Sequence, residues 1–180
     1  MPGRKDAMQS QLVMTVIGKD RTGLVETLSH CIADNQGRWL QSRMCTLGGQ
    51  FAGILRIQVP EGKAQSLIDA LRALEADELT VIIRPGEALT AAGPTRSASL
   101  SLIGQERPGI IYQISTALAS HCINFEELES ECFSAPMSGE KMFSAVARLQ
   151  IPESCVIANL RRELEGIGSE LMVDISFTAD

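Results

Sequence analysis

The sequence has few of the residues that nucleic-acid binding commonly needs. Aromatic residues make up only 4% of its 180 residues, too few to build the platforms on which unpaired bases stack. Lysine and arginine together number 16, against 22 aspartates and glutamates, and the formal net charge is −6. A surface that binds a phosphate backbone needs clustered positive charge, so we expect no direct contact with nucleic acid.

Histidine and paired cysteine are scarce as well. The two histidines and five cysteines form no cluster with the spacing of metal ligands, and no CxxC pair occurs. His121 adjoins Cys122, but neighbouring residues on a helix point apart, which argues against a cysteine–histidine nucleophile. We therefore expect no metal, no organic cofactor and no catalytic residue.

Long apolar runs are also missing. No stretch approaches the roughly 20 residues that cross a membrane, and the first ten residues lack the apolar core of a secretion signal. An odd number of cysteines in a chain without such a signal indicates reduced thiols. These features predict a cytoplasmic protein with no membrane partner.

What the sequence does contain is an internal repeat. The segment VIGKDRTGLV at residues 16–25 returns as LIGQERPGII at residues 102–111. Both copies read as an apolar strand, a glycine, an acid–arginine pair, a second glycine and an amphipathic helix. The repeat predicts one unit at residues 11–84 and another at residues 98–178, joined by a linker over residues 85–97 that contains Pro and Gly.

Hydrophobic periodicity predicts the same order of elements in both units. Leu24, Leu28 and Ile32 recur every four residues, whereas residues 51–59 alternate and read as a strand. Residues 171–177 alternate as the closing strand of the second unit. The result is an α+β fold of two ferredoxin-like βαββαβ units, each a four-stranded antiparallel sheet with two helices on one face. The other face must be polar or covered, and the edges also need cover.

The glycine loops, residues 18–23 and 104–109, match only the start of a phosphate-binding loop. The Lys and Ser or Thr that should follow are absent, which disfavours nucleotide hydrolysis. Two interpretations stay open: the glycines serve turn geometry alone, or the loops present backbone N–H groups at a helix N-terminus to a carboxylate. Arg21 and Arg107 could add a charged fork, although for each arginine taken singly a solvated charge or an ion pair with the neighbouring acid is favoured over ligand contact.

An acidic run lies in the second unit. Glu127, Glu129 and Glu131 would share one face of a strand. A solvated or partner-facing sheet surface is favoured over a metal site, because sites for hard cations usually add further oxygen donors.

The loop motif, placed between a strand and a helix inside a βαββαβ unit, resembles that of the ACT domain, a family of small regulatory modules that bind amino acids. The tandem pair with almost nothing else is similar to the glycine cleavage system transcriptional repressor group. The resemblance implies paired units with ligands at an interface beside the strand-to-helix loops. It implies these ligand-binding residues: Gly18, Lys19, Asp20, Arg21, Thr22, Gly23, Gly104, Gln105, Glu106, Arg107, Pro108, Gly109 and Asn124. The first unit departs from the pattern, because Arg38 stands where the family often has the asparagine.

The resemblance implies a non-enzymatic cytoplasmic regulator that senses a small amino acid, glycine being one candidate. Such a protein would modulate transcription through a protein partner, a transcription factor, and could form a homo-oligomer. The alternative is a protein-interaction or dimerisation module with no ligand. A small enzyme on a ferredoxin-like scaffold would need a nucleophile–base pair that the sequence does not offer.

Overall fold

The structure is a computed structural model that describes residues 8–86 and 93–179. The chain divides into two compact units, Met1–Thr90 and Ala91–Asp180. The first unit contains β1 (Gln9–Lys19), α1 (Leu24–Asp34), β2 (Arg38–Leu47), β3 (Gln50–Pro60), α2 (Ala64–Ala73) and β4 (Leu79–Pro85). The second contains β5 (Thr95–Gln105), α3 (Ile110–Ser120), β6 (Asn124–Ser134), β7 (Lys141–Pro152), α4 (Ile157–Leu171) and β8 (Val173–Ala179). Both units thus repeat the order βαββαβ.

Each unit forms one four-stranded antiparallel sheet. The strand orders are β2-β3-β1-β4 and β6-β7-β5-β8, so the first strand of each unit is central and pairs with the third and the last. Buried residues alternate along the central strands and pack with the buried stripes of both helices. The predicted pair of ferredoxin-like units, with the helices on one sheet face, is confirmed.

The core of each unit lies between the sheet and its two helices. In the first unit Met14 and Leu55 of the sheet and Leu28 and Leu67 of the helices are fully buried. Burying one such side chain contributes about 1.5–3 kcal/mol. In the described part of the chain, no helix is both long and apolar enough to cross a membrane.

Among the element boundaries that differ from the sequence prediction, two lie in the second unit. Strand β5 begins at Thr95, inside the segment predicted as a linker, because residues 95–97 pair with residues 150–152 of β7. Residues 87–92 of that predicted linker lie outside the described residues. Leu171 ends α4 and does not open the closing strand, because it extends the buried stripe of that helix and Met172 ends it with φ +56°.

The glycines that close the central strands leave no room for a side chain. A Cβ on Gly104 would lie 2.5 Å from Val173 Cγ1 and 2.8 Å from the Met172 carbonyl oxygen. A Cβ on Gly18 would lie 2.8 Å from the Glu78 carbonyl oxygen. Each glycine therefore lets the last strand of its unit reach the end of the central strand before the chain turns into its loop.

We predict that Gly104→Ala lowers the free energy of unfolding by about 1–3 kcal/mol, because the added methyl group must displace the backbone of β8. Gly166→Ala is the matched control in the same unit. A Cβ there meets no atom within 4 Å and lies inside α4, so we expect stability to rise by about 0.5–1 kcal/mol. Urea unfolding of both variants measures this, and equal midpoints would contradict the packing constraint.

Candidate functional site

The two glycine loops start the first helix of each unit with the same backbone geometry. Gly23 and Gly109 lie at the N-cap positions with φ of 90° and 92°. This left-handed conformation strains any residue with a Cβ and turns the chain sharply into the helix. Thr22 and Pro108 lie just before these glycines, whereas Lys19 and Gln105 are the exposed last residues of their strands.

Neither helix has a side-chain cap at this end. No side chain in the described part of the chain accepts a hydrogen bond at the N-terminus of α1 or of α3. The first N–H groups of a helix have no partner inside the helix and carry part of its positive dipole. Both loops therefore present backbone donors suited to an anionic group.

The two helix N-termini differ in charge. The first turn of α1 contains Glu26, whereas that of α3 contains no acidic residue. A carboxylate in the first turn already neutralises part of the dipole and repels a second anion. Arg107 is half-buried, while Arg21 is exposed. The loop of the second unit is therefore the stronger candidate for binding a carboxylate.

Arg107 points toward a hollow in the second unit. Its Nη2 lies 3.8 Å from Met172 Sδ. Met172 is one of the residues around a hollow of about 450 Å³ between the end of α4 and the start of β8. The others are Glu165, Gly168, Ser169, Val173, Asp174 and Ile175. Sequence reasoning missed these residues, because only folding brings the end of α4 next to a loop some sixty positions earlier in the chain.

Backbone hydrogen bonds fix both loops to a hairpin. The Asp20 N–H donates to the Gly49 carbonyl oxygen, and the Glu106 N–H donates to the Lys141 carbonyl oxygen, both at 2.9 Å. Partial loss of water and the Glu106 carboxylate, which accepts a hydrogen bond from the Cys132 thiol, raise the pKa of Cys132 above its usual value. The Glu106 side chain is therefore directed at β6. This strand lies on the opposite side of the central strand β5 from β8, where the hollow is.

Asn124 lies at the other end of the sheet. It pairs with Gln150, which pairs with Ser97, whereas Gly104 lies seven residues further along the same central strand. That separation is roughly 23 Å at the rise of a β-strand. Within the second unit Asn124 and the loop cannot contact one small ligand. Its counterpart Arg38 lies at the same end of the first unit and donates to Gln58 at 3.4 Å.

Several of the remaining candidate groups have structural partners. His121 Nε2 lies 2.8 Å from Glu163 Oε2, and this contact links the end of α3 to α4. The imidazole is therefore paired with Glu163 and does not serve as a base for Cys122. Glu126 and Glu127 both pair with Arg148. The described residues contain no group of three potential ligands that could hold a metal ion. The glycine loop of the second unit is therefore the site with the best-defined chemistry.

Comparison with known proteins identifies the family. The ACT-domain profile matches residues 10–84. The UPF0237 protein MK1213 of Methanopyrus kandleri is 34% identical over 79 residues, which cover 43% of this chain and 81% of that protein. The chain belongs to the ACT-domain family. Its second unit repeats the ACT fold of the first, so the protein is a tandem ACT-domain protein.

Two further matches extend over nearly the whole chain. The glycine cleavage system transcriptional repressor of Escherichia coli K12 is 26% identical over 169 residues, 91% of this chain and 86% of that protein. The crystal structure of an unknown protein from Galdieria sulphuraria superposes with a TM-score of 0.87 at 25% identity, and the match covers 96% of this chain and 99% of that one. The tandem ACT protein is thus related to a regulatory protein along both units.

The position of Glu106 can be tested through Cys132. We predict that Glu106→Gln lowers the pKa of this thiol and speeds its alkylation by iodoacetamide at pH 8 by about two- to threefold, because a neighbouring negative charge is removed. Cys45 is also exposed and lies in the other unit, so its rate in the same sample is the internal control. Mass spectrometry of the alkylated peptides gives both rates. Equal rates at Cys132 in both proteins would mean that Glu106 does not face β6 in solution.

Proposed function

We propose that this tandem ACT protein is a non-enzymatic, amino-acid-responsive regulator whose ligand site is the glycine loop of the second unit. One observation carries the proposal: the uncapped helix N-terminus at Gly109 lies two residues from the half-buried Arg107, whose guanidinium contacts Met172 at the edge of a hollow. The ligand carboxylate accepts hydrogen bonds from the first N–H groups of α3 and from the guanidinium of Arg107. Gly104 and Gly109 shape the loop.

The lining of the hollow favours a ligand that also carries a positive charge. The residues around it include the acidic Glu165 and the hydroxyl-bearing Ser169. An α-amino acid has an ammonium group next to its carboxylate and satisfies both sets of partners. A volume of about 450 Å³ lies within the range for ligand pockets and accommodates glycine or another small amino acid.

The first loop is proposed as a weaker site of the same kind. Gly18, Asp20 and Gly23 repeat the backbone geometry, but Glu26 opposes a second negative charge there. The other predicted residues form the chain of the two loops, and we assign them no ligand contact. They are Lys19, Arg21, Thr22, Gln105, Glu106 and Pro108. Asn124 lies too far from the loop of its own unit to join it.

The response to the ligand is proposed to be a change in affinity for a protein partner. The related Escherichia coli protein is named a transcriptional repressor, and this chain has a net charge of −6 and too few aromatic residues to build stacking platforms for nucleic acid. Binding to a cytoplasmic transcription factor is therefore the proposed route to transcription. A ligand shifts such an equilibrium only if it binds the two states with different affinity.

We predict that Arg107→Gln weakens binding of the preferred amino acid about 10- to 100-fold, because charge-assisted hydrogen bonds contribute about 1.5–3 kcal/mol. Isothermal titration calorimetry against glycine, alanine, serine and the remaining amino acids identifies that ligand first. Arg162→Gln is the control: it removes the same charge from an exposed position on α4, and we expect no change in affinity.

Two outcomes would contradict the proposal. If no amino acid binds the wild-type chain at millimolar concentration, the ligand claim fails and a protein-interaction module without a ligand remains. If an amino acid binds and Arg107→Gln leaves its affinity unchanged, the site lies elsewhere. Gly109→Ala separates geometry from charge, because it keeps Arg107 but strains the φ of +92°, and we expect weaker binding there too.

A further inference from the structure

The sheet face opposite the helices of the first unit is basic. In an antiparallel sheet, directly paired residues lie on the same face, so the register assigns each side chain. The charged residues on this face are Lys19, Arg38, Arg43, Arg56 and Arg84. None of the described strand positions on this face is an aspartate or a glutamate. We call it the basic face.

The corresponding face of the second unit is acidic. Its register places Glu127, Glu129, Glu131 and Asp174 there, with Arg148 as the only cation among the described strand positions. Arg148 pairs with Glu126 and Glu127 and so offsets only part of that charge. We call this the acidic face. The sequence expectation of a solvated or partner-facing acidic surface applies to this strand.

Equivalent positions of the two faces carry different charges. Arg43 pairs with Ile54, whereas at the same place in the second unit Glu129 pairs with Val146. At the next position of the edge strand on this face, the first unit has Cys45 and the second unit has Glu131. The two units share a fold, so the difference lies in the side chains alone and concentrates on the edge strands β2 and β6.

Both faces have an exposed apolar centre. Ile17, Ile54 and Ile82 are 45%, 55% and 51% exposed on the basic face. Ile103 and Val146 are 46% and 60% exposed on the acidic face. Apolar side chains surrounded by polar ones on a flat sheet are typical of a surface that another protein covers. A hollow of about 280 Å³ beside Glu129, Glu131 and Val146 provides room for a long side chain of the opposite surface.

We propose that the basic face of one chain packs against the acidic face of a second copy. Opposite charges then surround two apolar centres of similar size, which gives electrostatic complementarity across the interface. Arg56 supports this reading, because among the described residues its guanidinium donates only to the neutral Gln41 and Gln11 side chains, at 3.4 and 3.1 Å. Its charge is not neutralised by these contacts and can pair with a carboxylate of the second copy.

The area of a contact between two such faces is sufficient for a specific interface. A four-stranded sheet with strands of this length has a face of roughly 500 Å², from the usual strand spacing and rise. One contact between a basic and an acidic face therefore buries about 1,000 Å² in total, at the lower end of the range of specific protein interfaces.

Charge reversal on each face tests the proposal on the full chain. We expect a dimer by sedimentation equilibrium at low salt, with a dissociation constant that rises with salt concentration because exposed charges are screened. The double variants Arg56→Glu with Arg84→Glu, and Glu129→Lys with Glu131→Lys, each raise that constant at least tenfold.

Reversals on the helical side provide the matched controls. Arg72→Glu and Glu170→Lys change exposed residues of α2 and α4, and we expect no change in dimerisation. Circular dichroism with thermal unfolding shows that every variant folds. A wild-type monomer at low salt, or a dimer that neither double variant weakens, would overturn the proposal. None of these outcomes depends on amino-acid binding, which calorimetry measures separately.

Discussion

The backbone of Gly104 lies directly against the backbone of Met172 and Val173, and this contact positions the rest of the second unit's site. A side chain at residue 104 would push β8 away from the end of the central strand. With glycine there, the end of α4 lies beside the loop, and Arg107 reaches Met172. Gly18 makes the same contact with Glu78 and Leu79 in the first unit. The bend into each loop therefore depends on close packing between two strands.

Duplication of one unit left the backbone nearly unchanged and altered the charges on it. Gly23 and Gly109 differ by only two degrees in φ, yet Glu26 follows one of them and α3 has no acid in its first turn. A helix N-terminus attracts an anion only where its dipole is not already neutralised. The loop of the second unit is thus the stronger candidate for anion binding, although the backbone of the two loops is the same.

The size of each unit explains why the exposed sheet faces matter. A unit of about ninety residues buries one side of its sheet under two helices and leaves the other side without a layer. Polar side chains allow such a face to remain in contact with water. The apolar side chains of Ile54 and Val146, however, are more than half exposed at the centres of the two faces. Opposite charge around these centres provides a reason for two such faces to meet.

The sequence alone determined the repeat, the order of elements, the buried stripes and the two glycine turns, because these depend on local periodicity and on backbone conformations that few residues adopt. It also placed three glutamates on one strand face. Only the tertiary structure placed Met172 beside Arg107 and separated Asn124 from the loop of its own unit, because strand pairing and helix packing join residues far apart in the chain. The residue types at those positions carry no signal of their neighbours, so the hollow became visible only in the folded unit.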